Sequence, residues 1–183
     1  MTSQSPANDA ATIEIRVEEV ARLFDTLDPL PFRERDLDRH AEEFIVGWAR
    51  ELPKDKPISI VVHLPHAEAA TQRASEVADA LTRYFSNRAD AIALDLNELF
   101  RIGRRSLVIG VAVLATCLAL GQAVTGRLGP GYFGRFVEEG AIILGWVANW
   151  KPIEIFLYDW WPVVRRRNLY RRLAAARVEL LPY

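Results

Sequence analysis

The chain has 183 residues, with 23 basic side chains against 24 acidic ones, a net charge of −1 and a hydrophobic fraction of 50%. So balanced a charge gives no overall field to attract nucleic acid or an acidic substrate. The single cysteine, Cys117, excludes an intrachain disulfide and reads as a small apolar packing residue.

Met1 to Ala11 is small and polar and reads as a disordered tail, without the basic start and apolar stretch of a cleaved signal peptide. Thr12 to Val17 alternates Ile13, Ile15 and Val17 against Glu14 and Arg16, the pattern of a half-buried strand. Val20, Leu23, Phe24 and Leu27 then predict a short helix that stops before Asp28-Pro29. The segment DPLPFRERD carries two prolines and reads as a loop, solvated or used for docking. Asp36 or Asp38 caps the next helix, where Ala41, Phe44, Ile45, Trp48 and Leu52 form one apolar stripe ended by Pro53. Pro57 opens a second strand. Its residues Ile58, Ile60, Val62 and Leu64 share one face, and Val61 on the other suggests cover on both sides.

From Ala67 to Phe100 the period is helical again, through Val77, Leu81, Phe85, Ile92, Leu96 and Leu99. One long helix is expected to enter a membrane directly, with a bend at Gly103. Ser106 to Val124 contains no charged residue. These roughly 19 residues suffice to cross a hydrocarbon core about 30 Å thick at about 1.5 Å per residue. Gly129-Pro130-Gly131 marks a turn, after which Phe133 to Trp150 forms a second span. The alternative division runs from Ala141 to Tyr158 and places Lys151 inside the bilayer, at roughly 2.5 kcal/mol or more.

The expected fold is therefore α+β and mostly helical. A disordered tail (1–11) precedes a small cytosolic α/β domain with two strands (12–105). A transmembrane hairpin follows, with helices at 106–126 and 133–150 joined by an external turn at 127–132. A C-terminal interfacial helix (152–177) and a tail (178–183) complete the chain. Two strands make a poor sheet, which favours a homo-oligomer that joins them to a second copy. Arg101, Arg104 and Arg105 flank one end of the hairpin, and Lys151 with Arg165, Arg166 and Arg167 flank the other. In the connecting loop, Arg127 and Arg135 are offset by Glu138 and Glu139. The positive-inside rule then leaves both termini in the cytoplasm.

Two sets of candidate site residues follow. Trp146, Trp150, Tyr158, Trp160 and Trp161, with Arg165, Arg166 and Arg167, have the aromatic and basic character of anchors at a membrane surface of anionic lipid headgroups. The segment around Asp159 and its two Trp also suits a docking groove for a protein partner. Glu138, Glu139, Lys151, Glu154 and Asp159 are ionisable residues in or beside apolar sequence, where they mark membrane boundaries or line a polar or ion path. Lys151 and Glu154 sit at pairing distance on one helix face. Small residues four apart, Ala115 with Ala119 and Ala141 with Gly145, permit close helix packing.

Motifs for chemistry are sparse. His63 and His66 frame HLPH with Glu68 just beyond, but His40 is the only other histidine, and a zinc site needs three or four ligands. Ser59, Ser75, Ser86 and Ser106 lack the glycine context of a nucleophile elbow, and no phosphate-binding loop is visible. No catalytic residue, cofactor, metal or nucleic-acid partner is expected.

The strings DPLPFRERDLD, EEFIVGWARELP and EIFLYDWWP resemble a group of small bacterial inner-membrane proteins of uncharacterised function, over most of the chain from Ile13 to Tyr170. The resemblance implies a bacterial inner-membrane protein and attaches no activity to it. The expected function is a non-enzymatic, self-associating interaction or scaffold module anchored in the inner membrane, with the Asp36–Leu52 helix or the loop before it offered to a partner. The alternative is an oligomeric channel or transporter-accessory subunit built from hairpins.

Overall fold

A computed structural model describes residues 11–25, 29, 31, 35–69, 72–128 and 131–183. The rest of the expected tail, most of the DPLPFRERD loop and Gly129-Pro130 lie outside the described residues. The chain forms two compact units, Met1–Ile92 with Arg165–Tyr183, and Ala93–Val164.

The first unit is built on a parallel sheet of β1 (Ala11–Arg16), β2 (Ile58–Leu64) and β3 (Arg177–Pro182) in that spatial order. Ile13 pairs with Ile60, and Val178 sits on its other side. The third strand corrects the expectation of two strands, because 178–183 is not a tail. Arg177 to Leu180 alternates charged and apolar residues, and pairing with β2 satisfies the strand's backbone. The sheet-based reason for a dimer falls away with it. β2 is buried on both faces from Ile58 to Val62, as its near-continuous apolar run requires.

After β1 a 3-10 turn, Val20–Leu23, replaces the expected short helix. Phe24 then bridges Leu37 in antiparallel fashion. Asp38 caps α1 (Arg39–Glu51), its carboxylate accepting from the backbone N–H groups of His40 and Ala41. The face of α1 turned to the core differs from the expected stripe: Ile45, Val46 and Ala49 are buried, whereas Phe44 and Trp48 are 45% and 50% exposed.

A short α2 (His66–Ala69) precedes α3 (Gln72–Leu128), a single helix of 57 residues, roughly 85 Å long at about 1.5 Å per residue. Its first part contributes Val77, Leu81 and Phe85 to the core of the first unit, all at 1% exposure or less. Burial of an aromatic such as Phe85 contributes about 1.5–3 kcal/mol. The helix runs through Gly103, where a Cβ would lie 2.9 Å from Ile155 Cγ2, so this glycine serves close packing in an unbroken helix.

In the second unit α4 (Tyr132–Ala148) runs antiparallel to the distal part of α3. Gly121 approaches Glu138, Leu114 packs on Gly145, and Asn149 reaches Gly110. Then come α5 (Trp150–Glu154), a π-helical turn (Ile155–Asp159) and α6 (Trp160–Ala174). Pro152 is tolerated because the first turn of α5 leaves its N–H groups unpaired anyway. Among the described residues, α3 is the one helix long and apolar enough to cross a membrane: its best 18-residue window has a mean hydropathy of 2.3 and is 11% buried.

Candidate membrane interface

Which side chains can meet lipid is set by what the helix pair buries. Val108, Ile109 and Val111 on α3, and Ile143, Leu144, Trp146 and Val147 on α4, are more than half exposed. An exposed apolar surface of this kind marks contact with lipid or with another protein. Glycine lines the seam, where the helix backbones approach closely. A Cβ at Gly145 would fall 3.2 Å from Leu114 Cα, and one at Gly110 would meet Asn149 Oδ1 at 2.6 Å. The buried Asn149 donates from Nδ2 to the carbonyls of Gly110 (3.0 Å) and Gly145 (2.9 Å), fastening one helix to the other. This residue carried no sequence signal, since a lone Asn at a helix end is ordinary.

The five ionisable candidates separate into two groups. Glu138 accepts a hydrogen bond from Thr125 Oγ1 at 3.3 Å, and Glu139 beside it is exposed. Lys151 Nζ lies 3.0 Å from Glu154 Oε2 and 3.5 Å from Asp159 Oδ2, so those three neutralise one another except for a single negative charge. Between the groups runs roughly 20 Å of helix at about 1.5 Å per residue, filled by apolar residues and Asn149. Within one chain they make no continuous polar path.

The aromatic candidates gather at one end. Phe100 of α3 stacks on Phe156 at 6.2 Å and meets Trp160 at 6.5 Å, and Trp160 meets Trp161 at 5.8 Å. The Trp160 indole N–H donates to the Phe156 carbonyl at 2.9 Å. Trp146, Trp150, Tyr158 and Trp161 are all more than half exposed. Within this unit the chain from Asn149 to Trp160 is helical and packs along α3, at Gly110, Gly103 and Phe100.

The remainder of α6 belongs to the first unit, where Tyr170 and Leu173 are buried. There Arg165 and Arg166 are exposed, and Arg166 lies 5.8 Å from the Tyr170 ring centroid. Arg167 is half-buried with no hydrogen-bond partner at Nε. Tyr170 donates to Glu42 of α1 at 2.6 Å, and Arg88 of α3 sits 3.5 Å from the same carboxylate. Burial opposes the Glu42 charge, but hydrogen bonds from Tyr170 and Tyr84 and the Arg88 guanidinium outweigh it and hold its pKa below the ordinary carboxylate value. Burial, reinforced by Glu42, pushes both tyrosine hydroxyls up. Arg172 donates to the carbonyls of Pro53 and Lys56. Sequence reasoning missed this cluster, because its members meet only across long chain separations.

The HLPH residues serve local structure. His63 Nε2 is 3.6 Å from Glu14, His66 Nδ1 is 2.8 Å from the Tyr183 carbonyl, and Glu68 accepts from the N–H of Val20. Among the described residues no group of three metal-ligating side chains forms. In comparisons with known proteins, no family model, curated protein or solved structure matches the chain.

Proposed function

We propose that the chain is a docking protein of the bacterial inner membrane, held by a two-helix hairpin and without catalytic activity of its own. The observation that carries this is the return of the chain to its own sheet. β2 precedes the apolar unit and β3 follows it, yet the two are hydrogen-bonded neighbours. A single crossing would leave these strands on opposite sides of the bilayer, where they cannot pair. If α3 crosses, the chain must cross back, and 133–150 supplies roughly 27 Å of helix for that at about 1.5 Å per residue. Aromatic and basic residues around Phe100 to Arg105 and Trp150 to Arg167 then sit at the cytoplasmic headgroup level, with both termini in the cytoplasm.

The docking face is Phe44 and Trp48 on α1, an exposed aromatic pair with ring centroids 6.1 Å apart. Aromatic side chains presented on a well-capped helix are the usual anchors of an interface. Self-association belongs to the same proposal. Ala141 and Gly145 face α3 within the chain, which leaves exposed Ala115 and Ala119 for contact with a second copy.

The test is crosslinking and pull-down of full-length protein from native membranes, for wild type and a Phe44→Ala/Trp48→Ala variant. The proposal expects a discrete partner complex that falls at least about tenfold in the variant, as loss of two anchors at about 1–2 kcal/mol each implies, while the membrane-bound fraction is unchanged. An undiminished complex would refute the α1 face.

A further inference from the structure

At the level of Phe100 the second unit carries an uneven distribution of charge satisfaction. Arg101 is paired with Glu98 at 3.1 Å, and Lys151 is held by Glu154 and Asp159. Arg104 and Arg105, by contrast, are exposed and have no anionic partner among the described residues. Their position is fixed by helix geometry. Gly103 faces Ile155 and Phe156, so Arg104 emerges about 100° to one side of that contact, one turn beyond Phe100 on the same face. Phe100 stacks on Phe156 and meets Trp160 at a tilt. Arg104 therefore projects beside the aromatic cluster, and Arg105 emerges about 100° further around the helix, both at the start of the exposed apolar surface of α3.

Two exposed guanidinium groups that no carboxylate of the described residues neutralises, next to an apolar surface, are open to an oxyanion from outside the chain. A guanidinium fork matches a phosphate through two parallel hydrogen bonds, and the exposed Val108, Ile109 and Val111 one to two turns further along α3 suit the glycerol and first acyl carbons. We propose that Arg104 and Arg105 form a binding site for the phosphate of an anionic phospholipid. The inference rests on the membrane-anchored reading above and assigns a lipid class to one place within that anchor. Arg165 and Arg166 contribute general attraction to the surface without lipid selection.

The test places full-length protein in bilayers containing a small fraction of acyl-brominated lipid and reads quenching of tryptophan fluorescence. Brominated phosphatidylglycerol is compared with brominated phosphatidylcholine. Wild type is expected to favour the anionic lipid at least about fivefold, the factor that about 1 kcal/mol per basic residue implies. Arg104→Gln/Arg105→Gln is expected to bring the ratio close to one, and Arg165→Gln/Arg166→Gln to leave it largely intact. Both pairs are exposed, and an unchanged near-ultraviolet circular dichroism spectrum confirms that each variant is folded. A wild-type ratio of one, or a ratio unaltered in the first variant, overturns the site. Loss of selectivity on adding inorganic phosphate at fixed ionic strength assigns it to the free ion and also overturns the lipid proposal. Absence of quenching by either lipid removes the membrane reading itself, and the site with it.

Discussion

Truncation after Ala176 is expected to unfold the first unit. It removes β3 and with it the backbone pairing from Ser59 to Leu64. It also removes the Tyr183 N–H bond to the Leu64 carbonyl and the contact of His66 with the Tyr183 carbonyl. β2, whose Ile60, Val62 and Leu64 are fully buried, would become an edge strand in a two-stranded sheet, an arrangement marginal in water. Several backbone hydrogen bonds at about 0.5–1.5 kcal/mol each, plus the apolar contacts of Val178 and Leu180, approach the whole stability of a small domain, about 5–15 kcal/mol. Limited proteolysis of the membrane-bound protein checks this: residues 11–92 should become cleavable while 106–148 stays protected. Unchanged resistance would show that the sheet does not depend on β3. Leu173→Ala, at a site 1% exposed, gives a graded comparison, with an expected loss of about 2–5 kcal/mol in chemical denaturation.

The second large effect is expected at Gly145. A Cβ there contacts Leu114 and lies 3.2 Å from its Cα, so Gly145→Leu cannot be absorbed by a rotamer change alone. Overpacking of this kind costs about 1–3 kcal/mol or more, and it also displaces the Gly145 carbonyl that Asn149 uses. The separation of helices can be read by a disulfide. A Cβ at Gly121 lies 3.9 Å from Ala141 Cβ, close to the mean of about 3.8 Å in natural bridges. Cysteines at 121 and 141, with Cys117→Ser, should crosslink efficiently on mild oxidation. Adding Gly145→Leu should reduce the yield severalfold. Equal crosslinking with and without that substitution would mean that the seam is not held at this glycine.

Local chemistry was legible in the sequence, and long-range pairing was not. A helix cap at Asp36 or Asp38 and the continuation of one long helix into the apolar stretch follow from residue type and period, because both depend on neighbours within a few positions. The bend expected at Gly103 is absent because that glycine packs against Ile155 and Phe156. β3 was missed although Val178 and Leu180 alternate with Arg177 and Glu179: six residues ending in proline, after an arginine-rich helix, resemble a frayed tail until β2 is there to pair with. On α1, two apolar arcs share Ile45. The larger aromatics Phe44 and Trp48 dominated the periodicity, while the sheet accepts the smaller Val46 and Ala49. Among the site residues, the grouping of Trp160 with Trp161 was visible as a string. The role of Phe100, stacked on Phe156 and in contact with Trp160, was hidden, as was the neutralisation of Lys151 by Asp159 across the π-helical turn.

The two-crossing anchor is the premise on which the docking face, the lipid site and the orientation depend. Its most direct measurement is labelling of single cysteines by a membrane-impermeant maleimide in sealed vesicles of known sidedness, in a Cys117→Ser background. Arg50→Cys and Arg177→Cys report on exposed positions before and after the apolar unit, and Tyr132→Cys, at a residue 97% exposed, reports on its far end. The account predicts that 50 and 177 label from the cytoplasmic side alone and 132 from the opposite side alone. Labelling of all three from one side, or of 50 and 177 from different sides, would contradict it.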